Sequence, residues 1–68
     1  MDNKIRSKWE FLIQSRPDVR SIIGNTKLVG GLVGYNGANE RIFRFITAKG
    51  SFTFNEATEE FKSEFQIR

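Results

Sequence analysis

The chain has hydroxyl and carboxylate side chains but lacks the residues that usually activate them. Its 68 residues include no histidine and no cysteine. Histidine is the most common general base, and imidazole and thiolate are the usual zinc ligands. Serine, threonine and tyrosine hydroxyls therefore have no activating partner of the ordinary kind. We expect no enzyme activity, no metal site and no cofactor.

The glycines between residues 30 and 37 do not form a nucleotide-binding motif. A phosphate-binding loop has lysine directly after its last glycine, and neither Gly34 nor Gly37 precedes a lysine. Gly31 and Gly34 spell Gly-x-x-Gly, but that clamp joins two helices in KH domains, and here it lies in a predicted strand. The sequence leaves open whether Gly30 and Gly31 form a bulge or a place where a ligand approaches the backbone.

Charge is distributed unevenly along the chain. The net charge of +3 divides into +5 for residues 1–54 and −2 for residues 55–68. A basic body with an acidic end can attract nucleic acid, or a second copy of the chain docked head to tail. The alternative is that these charges form ordinary solvated faces.

Two helices are predicted to precede the glycine-rich region. Apolar residues recur at helical spacing in residues 3–14 and share one face. Pro17 ends this helix, because the residue before a proline avoids the α region, and proline suits the first turn of a new helix. We expect that second, short helix at 17–23, stopped by Gly24.

A β-meander is predicted from residue 27 onward. Strands at 27–35 and 40–48 flank an Asn-Gly turn, and a short turn at 48–50 leads to a third strand at 51–54. Because both connections are short, an antiparallel meander is the simplest arrangement.

Both faces of this predicted sheet are apolar. Phe43 and Phe45 point to one face, and Ile42 and Ile46 point to the other. An antiparallel sheet with one wet face alternates more cleanly than this. We therefore expect the second face to be covered, either by a helix or by a second copy of the protein.

Residues 55–67 are predicted to form a C-terminal helix. Asn55 suits the N-cap, and Phe61 and Phe65 fall four residues apart on one side. A second row at the same spacing is acidic and comprises Glu56, Glu60 and Glu64.

The predicted fold is one α+β domain spanning residues 1–68. It has an N-terminal helix, a short second helix, a three-stranded antiparallel β-meander and a C-terminal helix. The predicted core comprises Ile5, Trp9, Leu12, Ile13, Val19, Ile22, Phe43, Phe45, Phe52, Phe54, Phe61 and Phe65.

The sequence favours a small, non-enzymatic regulatory binding protein, that is, a protein-interaction module or inhibitor that self-associates. A hydrophobic core of this size provides only marginal stability. Because the chain has no cysteine for a disulfide, a partner chain is the remaining stabiliser. We expect the partner to be another protein, a second copy, or both. The residues predicted to contact it are Tyr35, Ile42, Arg44, Ile46, Glu56, Glu60 and Glu64.

Nucleic-acid binding is the alternative function. Sheets can present aromatic side chains to bases, and basic side chains contact phosphates. The candidate residues are Lys4, Lys8, Arg41, Arg44 and Lys49. No apolar run approaches the ~20 residues of a membrane span, and none near the N-terminus resembles a signal peptide. We therefore expect a soluble, cytoplasmic protein with no membrane partner.

Overall fold

The computed structural model describes residues 3–64 and shows two helices followed by a four-stranded antiparallel sheet. Neighbouring strands in the sequence are neighbours in the sheet, in the order β1-β2-β3-β4, so the sheet is a meander. The elements are α1 (Asn3–Ser15), α2 (Pro17–Ile23), β1 (Leu28–Tyr35), β2 (Arg41–Thr47), β3 (Gly50–Asn55) and β4 (Glu60–Glu64).

The predicted C-terminal helix is wrong, and the predicted sheet is one strand short. Asn55 Oδ1 accepts hydrogen bonds from the amides of Ala57 and Thr58 at 2.9 and 3.2 Å, as a helix N-cap would. Only one turn forms, because Glu59 adopts a φ of 64° and reverses the chain. The chain then returns as β4, antiparallel to β3.

Pairing as a strand gives this segment contacts that a solvent-facing helix would lack. Phe61 lies opposite Phe54, and its ring stacks on Phe52 with centroids 5.6 Å apart. The backbone of β4 also forms hydrogen bonds with the N–H and C=O groups at the edge of β3, which would otherwise be unpaired. The strand alternates so that Phe61 is buried while Lys62 is exposed. The last predicted helical residues, 65–67, lie outside the described part of the chain.

Both predicted N-terminal helices are present. Pro17 occupies the first turn of α2, where its fixed φ is favourable. Gly24, with a φ of 64°, donates its amide to Arg20 O and ends the helix. This left-handed conformation suits glycine, and so the stop signal read from the sequence has a physical basis.

The core lies between the helices and one face of the sheet. We call this the inner face; its buried aromatic residues are Phe43, Phe45, Phe52, Phe54 and Phe61. Trp9 of α1 packs on it, with its ring centroid 5.0 Å from that of Phe45. Such aromatic pairs add to the apolar area that they bury.

The predicted core differs from the observed one at its margins. Ile13 is only partly buried, and Ile22 is 43% exposed while Ile23 is buried. Ile23 lies four residues after Val19 and so shares its side of α2, which rotates Ile22 towards solvent. Phe65 lies outside the described residues.

The opposite side of the sheet, which we call the outer face, carries Leu32, Ile42, Arg44 and Ile46. Register and alternation place these side chains together, because Leu32 pairs with Arg44 across β1 and β2. Both helices contribute to the inner-face core, so of the two predicted covers for the second face, a helix or a second copy, the helix is wrong. Nothing within residues 3–64 covers the outer face.

Gly30 and Gly31, for which the sequence left open a bulge or a close approach to the backbone, have different roles. The register between β1 and β2 shifts between Leu28 and Gly30, which is a β-bulge. At Gly31, a Cβ atom would lie 2.6 Å from both Ile5 Cγ2 and Arg44 O. Gly31 is therefore the point where α1 approaches the sheet closely, and the chain's own helix takes the place considered for a ligand.

Candidate protein-interaction surface

The β1–β2 half of the outer face carries exposed apolar side chains around Arg44, placed there by alternation in β1 and β2. Leu32 is 61% exposed and Ile46 is 39% exposed, whereas the aromatic residues of the inner face are at most 9% exposed. Contiguous exposed apolar side chains on a small protein mark interaction sites more often than isolated ones do.

An open groove of about 440 Å³ lies on the outer face at the β1 side. Gly34 forms its floor, because a Cβ there would meet no atom within 4 Å. Leu32 and Ile42 provide apolar walls, and Arg44 stands at one side. The register explains this arrangement, since Gly34 pairs with Ile42 and Leu32 pairs with Arg44. The groove can hold an apolar side chain next to a guanidinium group.

An ion pair crosses the outer face from β2 to β4. Arg44 Nη2 lies 3.2 Å from Glu64 Oε2, and both side chains are substantially exposed. Exposed pairs of this kind contribute little to stability, because solvent screens them. This pair instead connects β2 and β4 across the outer face of β3, which lies between them.

Most of the predicted protein-binding residues fall on one surface. Ile42, Arg44 and Ile46 lie on the outer face, and strand register places the side chains of two glutamates there, Glu60 and Glu64. Tyr35 borders the groove, but it pairs with Arg41 and its side chain lies on the side of Arg41, to which it is hydrogen bonded. Glu56 does not join them.

Glu56 lies in the turn between β3 and β4 and faces α1. Its carboxylate is 3.1 Å from Lys8 Nζ and 3.7 Å from Arg41 Nε. The predicted row of three glutamates depended on a helix, and the turn and strand that replace the helix separate Glu56 from the other two.

The sequence interpretation missed Leu32 and Gly34 as members of this surface. Their side of the sheet depends on the register between β1 and β2, and the bulge near Gly30 interrupts simple alternation in β1. The Asn-Gly signal would not have given the observed register, because the chain turns over residues 37–39, with Asn39 at a φ of 65° and Asn36 paired with Glu40.

The predicted nucleic-acid residues do not form one surface. Lys4, Lys8 and Arg41 line a groove of about 350 Å³ beside Phe11. Arg44 lies on the outer face, and Lys49 lies in the turn between β2 and β3, at the other end of β2. Arg41 and Arg44 are three residues apart in a strand, which places them on opposite faces.

Two further features of the basic groove concern Arg41 and Lys8. A hydrogen bond with Tyr35, together with the nearby Glu56 carboxylate, raises the pKa of Arg41. Lys8 Nζ lies 5.3 Å from the ring centroid of Phe43 and 5.4 Å from that of Phe11. Lys8 is thus held against aromatic rings in addition to its ion pair with Glu56.

Within residues 3–64, no group of three or more histidine, cysteine, aspartate or glutamate side chains is placed to hold a metal ion. No helix in the same range is long and apolar enough to cross a membrane. Comparison with protein-family models, curated proteins and solved structures finds no significant match.

Proposed function

We propose that this chain is a small, non-enzymatic binding module that contacts another protein through the outer face of its sheet. The observation that carries the proposal is the exposure of Leu32 and Ile46 beside the Gly34 groove, on a face that no part of residues 3–64 covers. Protein interfaces combine apolar with polar side chains, and on this face Leu32, Ile42 and Ile46 surround Arg44, while β3 and β4 add polar side chains.

Arg44, which lies between Ile42 and Ile46 on this face, supports the same proposal. Arginine is one of the residue types that most often dominate binding energy at interfaces. Glu64 holds Arg44 in place before a partner arrives, which lowers the entropic cost of ordering the guanidinium on binding. A partner that fits has an apolar protrusion for the groove and a carboxylate near Arg44.

A pair of matched substitutions tests this proposal. Ile46→Asp places a charge on the outer face, and Ile22→Asp places the same charge on α2 at nearly equal exposure, 39% against 43%. Tagged wild-type protein and both variants are incubated with an extract of the source cells, and retained proteins are quantified by mass spectrometry. We expect one or more proteins to be retained by the wild type and by Ile22→Asp, and to be lost with Ile46→Asp.

Circular dichroism of both variants serves as the control for folding. If the folded Ile46→Asp protein retains the same proteins as the wild type, the outer face is not the contact surface. The roles of regulator and inhibitor, and the cytoplasmic location, stay predictions of the sequence.

Nucleic-acid binding is a second candidate function, favoured by the groove that Lys4, Lys8 and Arg41 line. Phe11 is 58% exposed beside it and can stack on an unpaired base. Fluorescence anisotropy with single-stranded and duplex DNA and RNA at two salt concentrations tests this candidate. Binding that weakens steeply with salt and is lost in Lys8→Glu would support it, whereas no binding at low salt would exclude it.

A further inference from the structure

The free edge of β1 presents regularly spaced hydrogen-bonding groups. Asn36 N donates to Glu40 O at 3.1 Å, so this pair is a hydrogen-bonded pair of the β1–β2 ladder. Hydrogen-bonded and non-hydrogen-bonded pairs alternate along an antiparallel ladder. The backbone N–H and C=O groups of Gly31, Val33 and Tyr35 therefore point away from β2. Within residues 3–64, no backbone group of another turn or loop is hydrogen bonded to them.

The two edge strands of the sheet differ in how they are protected. β4 is five residues long and carries Glu60, Lys62 and Glu64. Short length and charge are the usual devices that keep an edge strand from pairing with another chain. β1 is eight residues long and contains no charged residue. The bulge of β1, another such device, lies at Gly30, so the edge from Gly31 to Tyr35 has neither a bulge nor a charge.

The sequence of β1 is complementary to itself in one antiparallel register. With Val33 opposite the same residue of a second copy, Leu32 faces Gly34 and Tyr35 faces Gly31. Leu32 thus lies opposite the open position at Gly34, and Tyr35 lies opposite Gly31, against which Ile5 of α1 packs. In this register the outward-pointing N–H and C=O groups of Gly31, Val33 and Tyr35 lie opposite those of Tyr35, Val33 and Gly31 in the second copy. They form about six hydrogen bonds. The bulge at Gly30 ends the regular edge just where this register stops.

We propose that β1 pairs with β1 of a second copy about a two-fold axis at Val33 and joins the two sheets into one of eight strands. The occupant of this edge is a second copy because the register is self-complementary and isologous, as a two-fold interface requires. This inference goes beyond the proposed function, since it uses the backbone edge of β1. The two outer faces would lie side by side, giving a partner one surface of double width.

The first test removes the central backbone donor. Val33→Pro eliminates an N–H that points away from β2, so the β1–β2 ladder keeps its hydrogen bonds. Val33→Ala is the matched control, because it also shortens the side chain but keeps the donor. Sedimentation equilibrium should give the wild type and Val33→Ala twice the chain mass of 7.9 kDa. Val33→Pro should dimerise at least roughly tenfold more weakly.

Two results of this test would overturn the proposal. One is a wild-type protein that stays monomeric at concentrations up to roughly 100 µM. The other is a folded Val33→Pro protein that dimerises as strongly as Val33→Ala, which would place the dimer contact elsewhere. Neither result bears on binding of another protein by the outer face, so the two proposals fail separately.

A second test remains informative if Val33→Pro does not fold. The chain has no cysteine, and both Leu32 and Gly34 lie in open surroundings. In the proposed register these positions face each other as a non-hydrogen-bonded pair, with a Cα separation of about 4.5 Å that suits a disulfide. Oxidising a mixture of Leu32→Cys and Gly34→Cys chains should give a linked dimer, and each variant alone should not. No link in the mixture, or equal linking in all three samples, would overturn the register.

Discussion

The inner and outer faces of the sheet are made by the same strands but have different surroundings. Along β2, Phe43, Phe45 and Thr47 are buried, and between them Arg44 and Ile46 are exposed. Both helices pack against the inner face, where aromatic rings stack in contact with Trp9. Apolar character therefore does not decide which face becomes the core. Two helices can cover one face of this sheet, and they cover the aromatic one.

Two glycines in β1 differ in the same way as the two faces. Gly31 lets Ile5 of α1 reach the backbone of the sheet on the inner face. On the outer face, Gly34 leaves an open groove in place of a side chain. The difference between the faces predicts unequal responses to substitution.

The largest expected difference is between Phe45 and its neighbour Ile46. Phe45→Ala should cost about 3–5 kcal/mol, because it removes a fully buried ring and leaves a cavity. A domain of this size has a total stability of about that amount, so the variant should be mostly unfolded. Ile46→Ala, the control, should cost about 1 kcal/mol or less.

Urea unfolding followed by the fluorescence of Trp9, the single tryptophan, measures both variants. If both variants lost the same free energy of unfolding, the assignment of the inner and outer faces would be wrong.

The next largest effect concerns two glycines in β1. Gly31→Ala should cost about 1–3 kcal/mol, because its Cβ would collide with Ile5 and with the carbonyl oxygen of Arg44. Gly34→Ala should be neutral or stabilising by up to about 1 kcal/mol, because alanine has less conformational freedom to lose. Thermal unfolding compares the two, and an equal loss at both positions would show that α1 does not approach Gly31 closely.

A smaller effect is expected for the ion pair on the outer face. Arg44→Ala and Glu64→Ala should each change the free energy of unfolding by less than about 1 kcal/mol, because the pair is exposed. The double variant completes a cycle that isolates the coupling between the two side chains. Coupling should be small and should fall as salt is added. A large coupling free energy that does not change with salt concentration would mean that this face is shielded from solvent.

The smallest effect is a pH dependence due to Glu40. Asn36 Nδ2 and Asn55 Nδ2 donate to its carboxylate at 3.0 and 2.9 Å and lower its pKa below the ordinary value of 4.5. A lowered pKa means that the ionised form stabilises the fold above pH 4.5. This stabilisation should be lost as the pH falls below that value and through the folded pKa.

Replacing Glu40 with Gln tests this effect. The wild type should exceed Glu40→Gln in stability at neutral pH, and the difference should shrink in acid when urea unfolding is repeated there. A difference that stays constant across this range would show that the carboxylate charge is not involved.

Much of this fold follows from local signals in the sequence. Helical spacing and Pro17 define α1 and α2, and alternation assigns the phenylalanines of β2 and β3 to one face. The C-terminal strand could not be found in this way, because Asn55 caps one real turn and the return of the chain depends on Glu59 and on pairing with β3. That pairing is a tertiary contact that local propensity does not report.

The candidate surface was predictable to a similar extent. Alternation in β2 was enough to group Ile42, Arg44 and Ile46. It should also have separated Arg41 from Arg44, since a strand has a period of two. The groove at Gly34 was not predictable from β1 alone, because its place depends on the pairing register.

The most direct test of the central claim, that the inner face is core and the outer face is open, is cysteine labelling at two adjacent positions of β2. The chain has no cysteine, so Ile46→Cys and Thr47→Cys each introduce one thiol, on the outer and the inner face. In the purified protein, Ile46→Cys should react with a thiol reagent without unfolding, whereas Thr47→Cys should react only at the rate of unfolding. Equal protection of both thiols would contradict the account, because it would show that the outer face is covered in the protein by itself.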